Sequence, residues 1–274
     1  MKVKLPTTRS KITCHGMLRS NTPTEYYEQF NLWVKREDLS CPSPGPNFSK
    51  ARGVYARIEN MPEKVIGCLD TYHSQGGHAT ARACQLLNKK CLVFYPEYKH
   101  EPGFRPPQTR AKKLGAELIG LPAGRSAVLY HQAKKLCEAA GGYMMPNALK
   151  LEETVDETAK ETIGISGFDY VVISISSGTI AAGVIKGLGK VPTYLLHLGY
   201  SRSHEETAKY IMGKAGIGAK LKLIDEKYSY KDVSKDGVNP LWPCNPYYDL
   251  KAFRWWVSEG MKLYKGNVLF WNVG

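Results

Sequence analysis

The chain has 274 residues and a mass of 30.6 kDa, which suits one large α/β domain or two lobes and allows a sizeable buried core. Its hydrophobic content of 43% and charged content of 23% argue against a largely disordered protein. Lysine and arginine number 38 against 25 acidic residues, so the net charge is +13. This excess either favours a polyanionic partner such as nucleic acid or is a solvated basic surface without one.

Short apolar or β-branched runs alternate with helical patterns along most of the chain. Strands are predicted at residues 32–35, 64–69, 91–95, 116–120, 170–175, 193–198 and 268–273. Helices are predicted at residues 50–59, 78–87, 108–114, 126–139, 152–163 and 180–188. This alternation predicts right-handed βαβ units, and therefore an α/β fold with mostly parallel twisted sheets flanked by helices. The last strand, apolar almost throughout, is predicted to lie inside a sheet.

The sequence carries no segment typical of a membrane span, a secretion signal or a disulfide framework. The longest uncharged stretch, residues 170–185, has sixteen residues and several hydroxyl side chains. The first residues lack an apolar signal region, so a cytoplasmic location is expected. The seven cysteines form no CxxC pair, and an odd number predicts reduced thiols.

Two loops in the first half of the chain have the composition of binding loops. Lys50 opens a helix, where the helix dipole disfavours its charged form, and lysines with a lowered pKa form Schiff bases readily. Residues 74–78 follow a strand and open a helix, so their N–H groups can face an anion. The alternatives are a solvated lysine and an ordinary glycine turn, with His78 as a capping or packing residue.

Two further segments follow in the second half. Residues 176–179 combine hydroxyls, a glycine and a helix start, which favours a phosphate site, although no lysine follows as in a nucleotide P-loop. Tyr248 can act as an acid or base, and Asn272 can contact a ring nitrogen, with aromatic core packing as the alternative. No Cys/His set has zinc spacing, and neither a GxSxG motif nor an RNA-recognition pattern occurs, so no metal site is expected.

Six segments of the chain, taken in order, form a recognisable series. They are KREDL at 35–39, SKARG at 49–53, SQGGHATA at 74–81, SSGTIAAG at 176–183, PYYDLKA at 246–252 and VLFWNVG at 268–274. Together they resemble the tryptophan-synthase-β-like (fold type II) pyridoxal-phosphate enzymes. Within that family they are most similar to 1-aminocyclopropane-1-carboxylate deaminase and D-cysteine desulfhydrase.

The resemblance implies a cofactor, an architecture and a set of site residues. The cofactor is pyridoxal 5'-phosphate, held by Lys50 as an internal aldimine, and Ser74 and Tyr248 are implied to take part in catalysis. The implied cofactor-binding residues are Lys50, Ser49, Ser176, Ser177, Gly178, Thr179 and Asn272. The implied substrate-binding residues are Ser74, Gln75, Gly76, Gly77, His78 and Tyr248. A large cofactor-binding lobe is expected at residues 1–55 and 150–274, and a smaller, trimmed substrate-side lobe at 56–149.

The chain departs from the family pattern at several of these positions. Gly77 stands where the substrate loop usually carries asparagine, and Ser49 replaces the asparagine before the lysine. The phosphate loop reads Ser-Ser-Gly-Thr-Ile instead of Gly-Ser-Gly-Gly-Thr, and Val273 replaces a threonine that meets the pyridine nitrogen in the family. These changes affect the substrate prediction more than the prediction of the cofactor.

Three functions remain open from the sequence. The first is a lyase of the deaminase or desulfhydrase type acting on a small amino-acid-like molecule. The second is an enzyme that decarboxylates or cleaves an amino-acid group attached to a nucleic-acid base, with the basic surface gripping phosphates. The third is a non-catalytic binding protein of the same fold, against which the retained Lys50 and Tyr248 argue.

The charge also suggests partners. If the protein binds DNA, the first contacts are expected from Lys99, Arg105, Arg110, Lys112 and Lys113. A homo-oligomer, most simply a dimer, is expected, without a membrane partner.

Overall fold

A computed structural model describes residues 2–5, 11–12, 18–101 and 103–274 of the chain. The chain forms two compact units. Unit 1 consists of Met1–Ser40, Asn47–Ser49 and Thr154–Gly274, and unit 2 of Cys41–Pro46 and Lys50–Glu153. Within the described ranges, no helix has the length and apolarity that a membrane span requires.

The described residues contain strands and helices in alternation from β4 to β11. The strands are β1 (Lys11–Ile12), β2 (Arg19–Ser20), β3 (Thr24–Tyr27), β4 (Leu32–Arg36), β5 (Val65–Leu69), β6 (Lys90–Glu97), β7 (Glu117–Pro122), β8 (Tyr143–Met144), β9 (Tyr170–Ile175), β10 (Thr193–Leu198), β11 (Lys220–Ile224) and β12 (Val268–Asn272). The helices are α1 (Ala51–Glu59), α2 (Gly76–Leu86), α3 (Pro106–Lys113), α4 (Ser126–Ala139), α5 (Glu152–Lys160), α6 (Thr179–Leu188), α7 (His204–Ala215), α8 (Asp249–Trp255) and α9 (Met261–Leu263). A π-helical turn, Trp256–Gly260, joins α8 to α9.

Unit 1 is built on a six-stranded sheet of order β11-β10-β9-β12-β4-β3. Neighbouring strands are parallel except for β3, which pairs antiparallel with β4. The strand β12 lies inside the sheet, as its apolar sequence predicts, because it pairs with β9 on one side and β4 on the other. Alternate β12 side chains enter two cores: Leu269 and Trp271 pack in one, Val268 and Phe270 in the other.

Unit 2 contains a parallel four-stranded sheet of order β7-β6-β5-β8. The helix α4 places Leu129, Ala133 and Cys137 on one face, at the spacing of an amphipathic helix, and these side chains pack with Leu92 and Phe94 of β6. Apart from the antiparallel edge strand β3, both sheets are therefore parallel, and helices alternate with their strands along the chain, which confirms the predicted α/β class.

The KREDL segment has a structural role in unit 1. Lys35 is fully buried, and its Nζ donates to the Thr22 carbonyl at 2.7 Å and lies 3.0 Å from Glu161 Oε2. Arg36 binds Asp38 through two parallel hydrogen bonds of 2.9 and 2.8 Å. These paired charges connect the end of β4 to the segments packed around it, since buried charges are stable only when paired.

Several elements were not predicted from the sequence. The strands β3 and β11 lie at sheet edges and are only partly buried, so their sequences lack a continuous apolar run. The helix α7 is capped by Ser203, the residue before it, whose side chain accepts from the Glu206 N–H at 3.2 Å. This Ser-x-x-Glu pattern is a usable start signal. Six of the seven cysteines are described, and each is a free thiol, while Cys14 lies outside the described residues.

Candidate functional site

The loop of residues 176–179 joins β9 to α6 in unit 1. Gly178 has φ +84°, and a Cβ at this position would lie 2.8 Å from Ile211 Cγ1, so both the backbone and the available space require glycine. Thr179 Oγ1 lies 3.0 Å from Ser177 Oγ and 3.2 Å from the Tyr210 hydroxyl. The loop thus presents hydroxyls and N–H groups at the start of a helix, which suits an anion.

Arg202 lies beside this loop and was not singled out from the sequence. Its Nη1 donates to the Ser176 carbonyl, and its guanidinium lies 4.0 Å from the Tyr200 ring centre. Its Nε and Nη2 are buried and have no hydrogen-bond partner among the described residues. The signal for Arg202 in the sequence is its position just after a parallel strand, where ligands of such sheets bind.

Tyr248 is brought together with Ser176 in unit 1. The two side chains are hydrogen-bonded, and a Cβ at Gly199 would lie 2.5 Å from Tyr248 Cδ1, so the ring packs directly on that glycine. Burial, followed by the charge effect of Tyr230, raises the pKa of Tyr248 well above its usual value. The phenol therefore stays protonated at neutral pH and acts as a hydrogen-bond donor instead of a base.

Asp249 holds the end of β12 in place and is a second residue that sequence reasoning missed. It is fully buried and accepts hydrogen bonds from Ser174 Oγ at 2.6 Å, from the Val273 N–H at 3.2 Å and from the Gly274 N–H at 3.0 Å. Burial raises its pKa to about 6, against the hydrogen bonds that lower it. The sequence signal that could have identified Asp249 is its position directly after Tyr248.

The side chain of Asn272 has hydrogen-bond partners for all its polar atoms, whereas the hydroxyl of Ser49 has none among the described residues. Asn272 Nδ2 donates to Asp38 Oδ1 and to the Pro243 carbonyl, each at 2.9 Å, and its Oδ1 accepts from the Cys244 thiol. Both amide hydrogens of Asn272 are thus engaged. Asn272 can therefore hydrogen-bond a ring nitrogen only through its Oδ1, which would accept a hydrogen bond from a protonated ring nitrogen. Ser49 Oγ is buried without a hydrogen-bond partner among the described residues, which marks a place for a further polar group.

Lys50 immediately precedes α1 in unit 2, and its side chain is buried. Its Nζ donates to the Ala148 carbonyl at 2.8 Å. Burial, followed by repulsion from Lys150, lowers the pKa of Lys50 to about 7. A lowered pKa for Lys50 was predicted from the helix dipole. Its main cause in the structure is burial. A lysine near its pKa at neutral pH suits chemistry at a carbonyl carbon.

Asp70 organises the loop of residues 74–78 in unit 2 and was also missed. Its Oδ1 accepts a hydrogen bond from the Thr71 N–H at 3.0 Å, and Ser74 Oγ accepts one from the Gly76 N–H at 3.0 Å. The Gly77 N–H and the Ser74 hydroxyl favour the charged form of the Asp70 carboxyl and so act to lower its pKa. Asp70 Oδ2 is buried without a hydrogen-bond partner among the described residues. Burial raises the pKa of Asp70 to about 7. A Cβ at Gly77 would lie 2.8 Å from Val93 Cγ1, so the loop has no space for a side chain there.

The other two loop residues contact different elements of unit 2. His78 Nε2 lies 2.9 Å from the Pro44 carbonyl, and burial lowers the pKa of His78 to about 4, so the neutral ring donates this hydrogen bond. Gln75 Oε1 accepts a long hydrogen bond of 3.5 Å from Arg110 Nη2. Substrate contacts of Gln75 and His78 stay a prediction.

The residues of each unit fit pyridoxal phosphate. Unit 1 supplies a loop whose hydroxyls and helix start suit an anion and in which residue 178 has to be glycine, together with the unsatisfied hydroxyl of Ser49. Unit 2 supplies a buried lysine whose amine is partly neutral at pH 7. Phosphate and aldehyde are the two groups of the cofactor that require such partners.

Comparison with known proteins agrees with this fit. A family model described as pyridoxal-phosphate dependent enzyme matches residues 17–198. The glycyl-dTMP PLP-dependent decarboxylase of Pseudomonas phage M6 is 47% identical over 279 residues, covering 94% of this chain and 100% of that protein.

Two solved structures share the fold at low identity. An ACC deaminase homologue superimposes with a TM-score of 0.76 at 18% identity, covering 92% of this chain and 89% of the other. Processed threonine deaminase isoform 2 from Solanum lycopersicum gives a TM-score of 0.67 at 16% identity, with 94% and 80% covered. The family match, the phage relative and the shared fold therefore confirm that this chain is a fold type II member of the pyridoxal-phosphate dependent enzyme family and that its cofactor is pyridoxal phosphate.

Proposed function

We propose that this enzyme decarboxylates a glycyl group carried by a thymidine nucleotide. The observation that carries the proposal is the 47% identity, over the whole length of the relative, to a phage protein named for this activity. The sequence favoured deamination of a small amino acid and kept the nucleic-acid substrate as an alternative. The structures of deaminases match at 18% identity or less and support the fold alone, so the alternative is now preferred.

The proposed decarboxylation consists of three chemical events. The bond between the α-carbon and the carboxyl carbon breaks, carbon dioxide leaves, and a proton is added to the α-carbon. Pyridoxal phosphate, when bound, withdraws the electron pair left at the α-carbon. With the cofactor bound, the residues of the chain would have to orient the substrate, shield the breaking bond from water and supply the proton.

Lys50 supplies both an amine and a proton. With a pKa of about 7, neutral and protonated forms are both abundant at neutral pH. The neutral form is the nucleophile that a carbonyl cofactor requires, and the protonated form is the proton donor to the α-carbon.

Gly77 is the residue of the predicted substrate loop that favours loss of the carboxylate. The resembling enzymes usually carry asparagine there, whereas residue 77 of this chain has no side-chain amide. A Cβ at this position would lie 2.8 Å from Val93 Cγ1 and 2.9 Å from Asp70 Oδ2, so any side chain would displace these neighbours. Hydrogen bonds to the carboxylate stabilise the bound substrate. Removing such bonds speeds decarboxylation when the bound substrate loses more stabilisation than the transition state does. The protonated phenol of Tyr248 remains to orient the substrate by donating a hydrogen bond.

The test is product analysis with the purified holoenzyme. Glycyl-dTMP, isotope-labelled at the carboxyl carbon and supplied free or within an oligonucleotide, should release labelled carbon dioxide, and Lys50→Ala should release none. Free glycine, D-cysteine and 1-aminocyclopropane-1-carboxylate serve as competing substrates. Ammonia or sulfide from the free amino acids, without carbon dioxide from the glycyl nucleotide, would return the assignment to a small-molecule lyase.

A further inference from the structure

Arg202 is held in a fixed orientation at the carboxyl edge of the unit 1 sheet. The strands β9 and β10 are parallel, with Leu198 opposite Ile175, so the segment carrying Arg202 leaves the sheet on the same edge as the loop of residues 176–179. One guanidinium nitrogen donates to the Ser176 carbonyl, and the guanidinium lies 4.0 Å from the Tyr200 ring centre. Tyr200 packs edge-on against Tyr230, with ring centres 5.0 Å apart and planes at 87°.

The remaining N–H groups of Arg202 have nothing to bind within the described chain. Nε and Nη2 are buried and without a hydrogen-bond partner among the described residues. Asp225, whose carboxylate binds the neighbouring residue Ser201, accepts from Ser201 Oγ at 2.7 Å and from Lys227 Nζ at 2.9 Å. A buried charged donor without an acceptor is destabilising, so a ligand that supplies oxygens would satisfy it.

The shape of the free edge indicates the chemistry of that ligand. Nε and Nη2 of a guanidinium point the same way and bind two oxygens of one anion. Next to them, Ser177 and Thr179 offer hydroxyls, and α6, which has ten residues, offers its N-terminus. A phosphate group has more terminal oxygens and more charge than a carboxylate, so it matches this larger number of donors.

We propose that Arg202 binds a phosphate group through Nε and Nη2. The phosphate is either that of the cofactor or that of the nucleotide substrate, and the second source rests on the proposed function. Residue 202 lies outside all six segments that resemble the family, so the proposal rests on the contacts of Arg202 in this structure.

The experiment compares ligands with and without phosphate. Affinities of the apo protein for pyridoxal phosphate and pyridoxal, and of the holoenzyme for dTMP and thymidine, are measured for the wild type, Arg202→Met and Arg202→Lys. Arg254→Met is the matched control, because Arg254 lies in the same unit and its Nε, Nη1 and Nη2 all have acceptors, including Asn239 Oδ1 at 2.8 Å.

Arg202→Met should weaken one phosphate ligand by roughly 10- to 100-fold while leaving its phosphate-free counterpart unchanged. Arg202→Lys should recover part of the lost affinity, because lysine keeps the positive charge but lacks the paired Nε and Nη2 donors. Arg254→Met should not change the affinity for ligands with phosphate relative to those without. Loss for pyridoxal phosphate identifies the cofactor phosphate, and loss for dTMP identifies the substrate phosphate. The cofactor comparison holds even if the proposed decarboxylation is wrong. Equal effects on ligands with and without phosphate, or no effect in either pair, would overturn the proposal.

Discussion

Burial sets the protonation state of the lysines that could carry the cofactor. The pKa of Lys50 is lowered to about 7 and that of Lys251 to about 8, in both cases mainly by burial. Lys251 Nζ donates to the Gly199 carbonyl at 2.6 Å and lies 4.3 Å from the Tyr228 ring centre. A lowered pKa therefore does not by itself identify the cofactor lysine, and a chemical test is needed.

We expect Lys50→Ala to abolish the cofactor adduct that borohydride reduction traps in the holoenzyme, because Lys251, whose pKa is also lowered, belongs to a different motif. Lys251→Met is the matched control and should keep the adduct, which peptide mapping by mass spectrometry locates. An adduct that survives in Lys50→Ala and disappears in Lys251→Met would reassign the cofactor lysine.

The pH dependence of cofactor attachment is a second consequence of the Lys50 environment. The neutral amine is the reactive form, so the rate at which the apo protein takes up pyridoxal phosphate should rise as the pH passes through about 7, not 10.5. The unfolded chain binds the lysine proton up to the ordinary pKa of 10.5, so burying Lys50 becomes less costly as the pH rises from about 7 towards that value. A stopped-flow pH profile with its midpoint near 10 would contradict this assignment.

At the scale of elements, the turn from β9 into α6 depends on one backbone conformation. Gly178 has φ +84° and is crowded by Ile211, whereas Gly216, after α7, has a similar φ of +69° with nothing within 4 Å of an added Cβ. Comparing substitutions at the two glycines therefore distinguishes the conformational cost of a left-handed residue, which both share, from the lack of space, which affects only Gly178.

Gly178→Ala should weaken pyridoxal-phosphate binding by roughly tenfold or more, since the loop has to shift and its N–H groups leave their positions. Gly216→Ala should carry a similar conformational cost of about 1–2 kcal/mol in the free energy of unfolding without changing cofactor affinity. Titration of the two apo proteins, combined with thermal unfolding, checks both expectations. Unchanged affinity in a folded Gly178→Ala protein would move the phosphate site elsewhere.

At the scale of the whole molecule, the charge of +13 is partly displayed on α3 of unit 2. Arg110, Lys112 and Lys113 are exposed there. Lys112 lies 5.0 Å from the ring centre of Phe104, which is 43% exposed. Cations beside an exposed ring are suited to a nucleic-acid backbone and its bases.

We expect the protein to bind duplex DNA at low salt, with an affinity that falls linearly with salt on logarithmic axes. Replacing Lys112 and Lys113 by alanine should reduce the slope by about 1.8, since each neutralised phosphate contributes about 0.9. The exposed pair Lys134 and Lys135 on α4 is the matched control for lost charge. Equal effects of the two double variants would mean that the α3 surface is not the contact, and that the charge acts non-specifically.

Much of the fold and the outline of the site follow from local sequence. Alternating strand and helix patterns specify the α/β class, because hydrophobic periodicity reflects which face of each element is buried. The glycine and hydroxyl loop at 176–179 was also readable, since the φ of Gly178 is a local property that few residues tolerate. The ordered series of six segments was enough to identify the family and its cofactor, as the comparisons confirm.

The remaining features were decided by tertiary structure. The insertion of β12 between β9 and β4 joins residues far apart in the chain. The roles of Asp70, Asp249 and Arg202 depend on how deeply each side chain is buried and on which groups surround it after folding. Protonation states belong to the same class, because desolvation and neighbouring charges shift a pKa only once the chain is packed. The sequence by itself therefore determined the class of chemistry, while tertiary packing decided which side chains are positioned and charged to perform it.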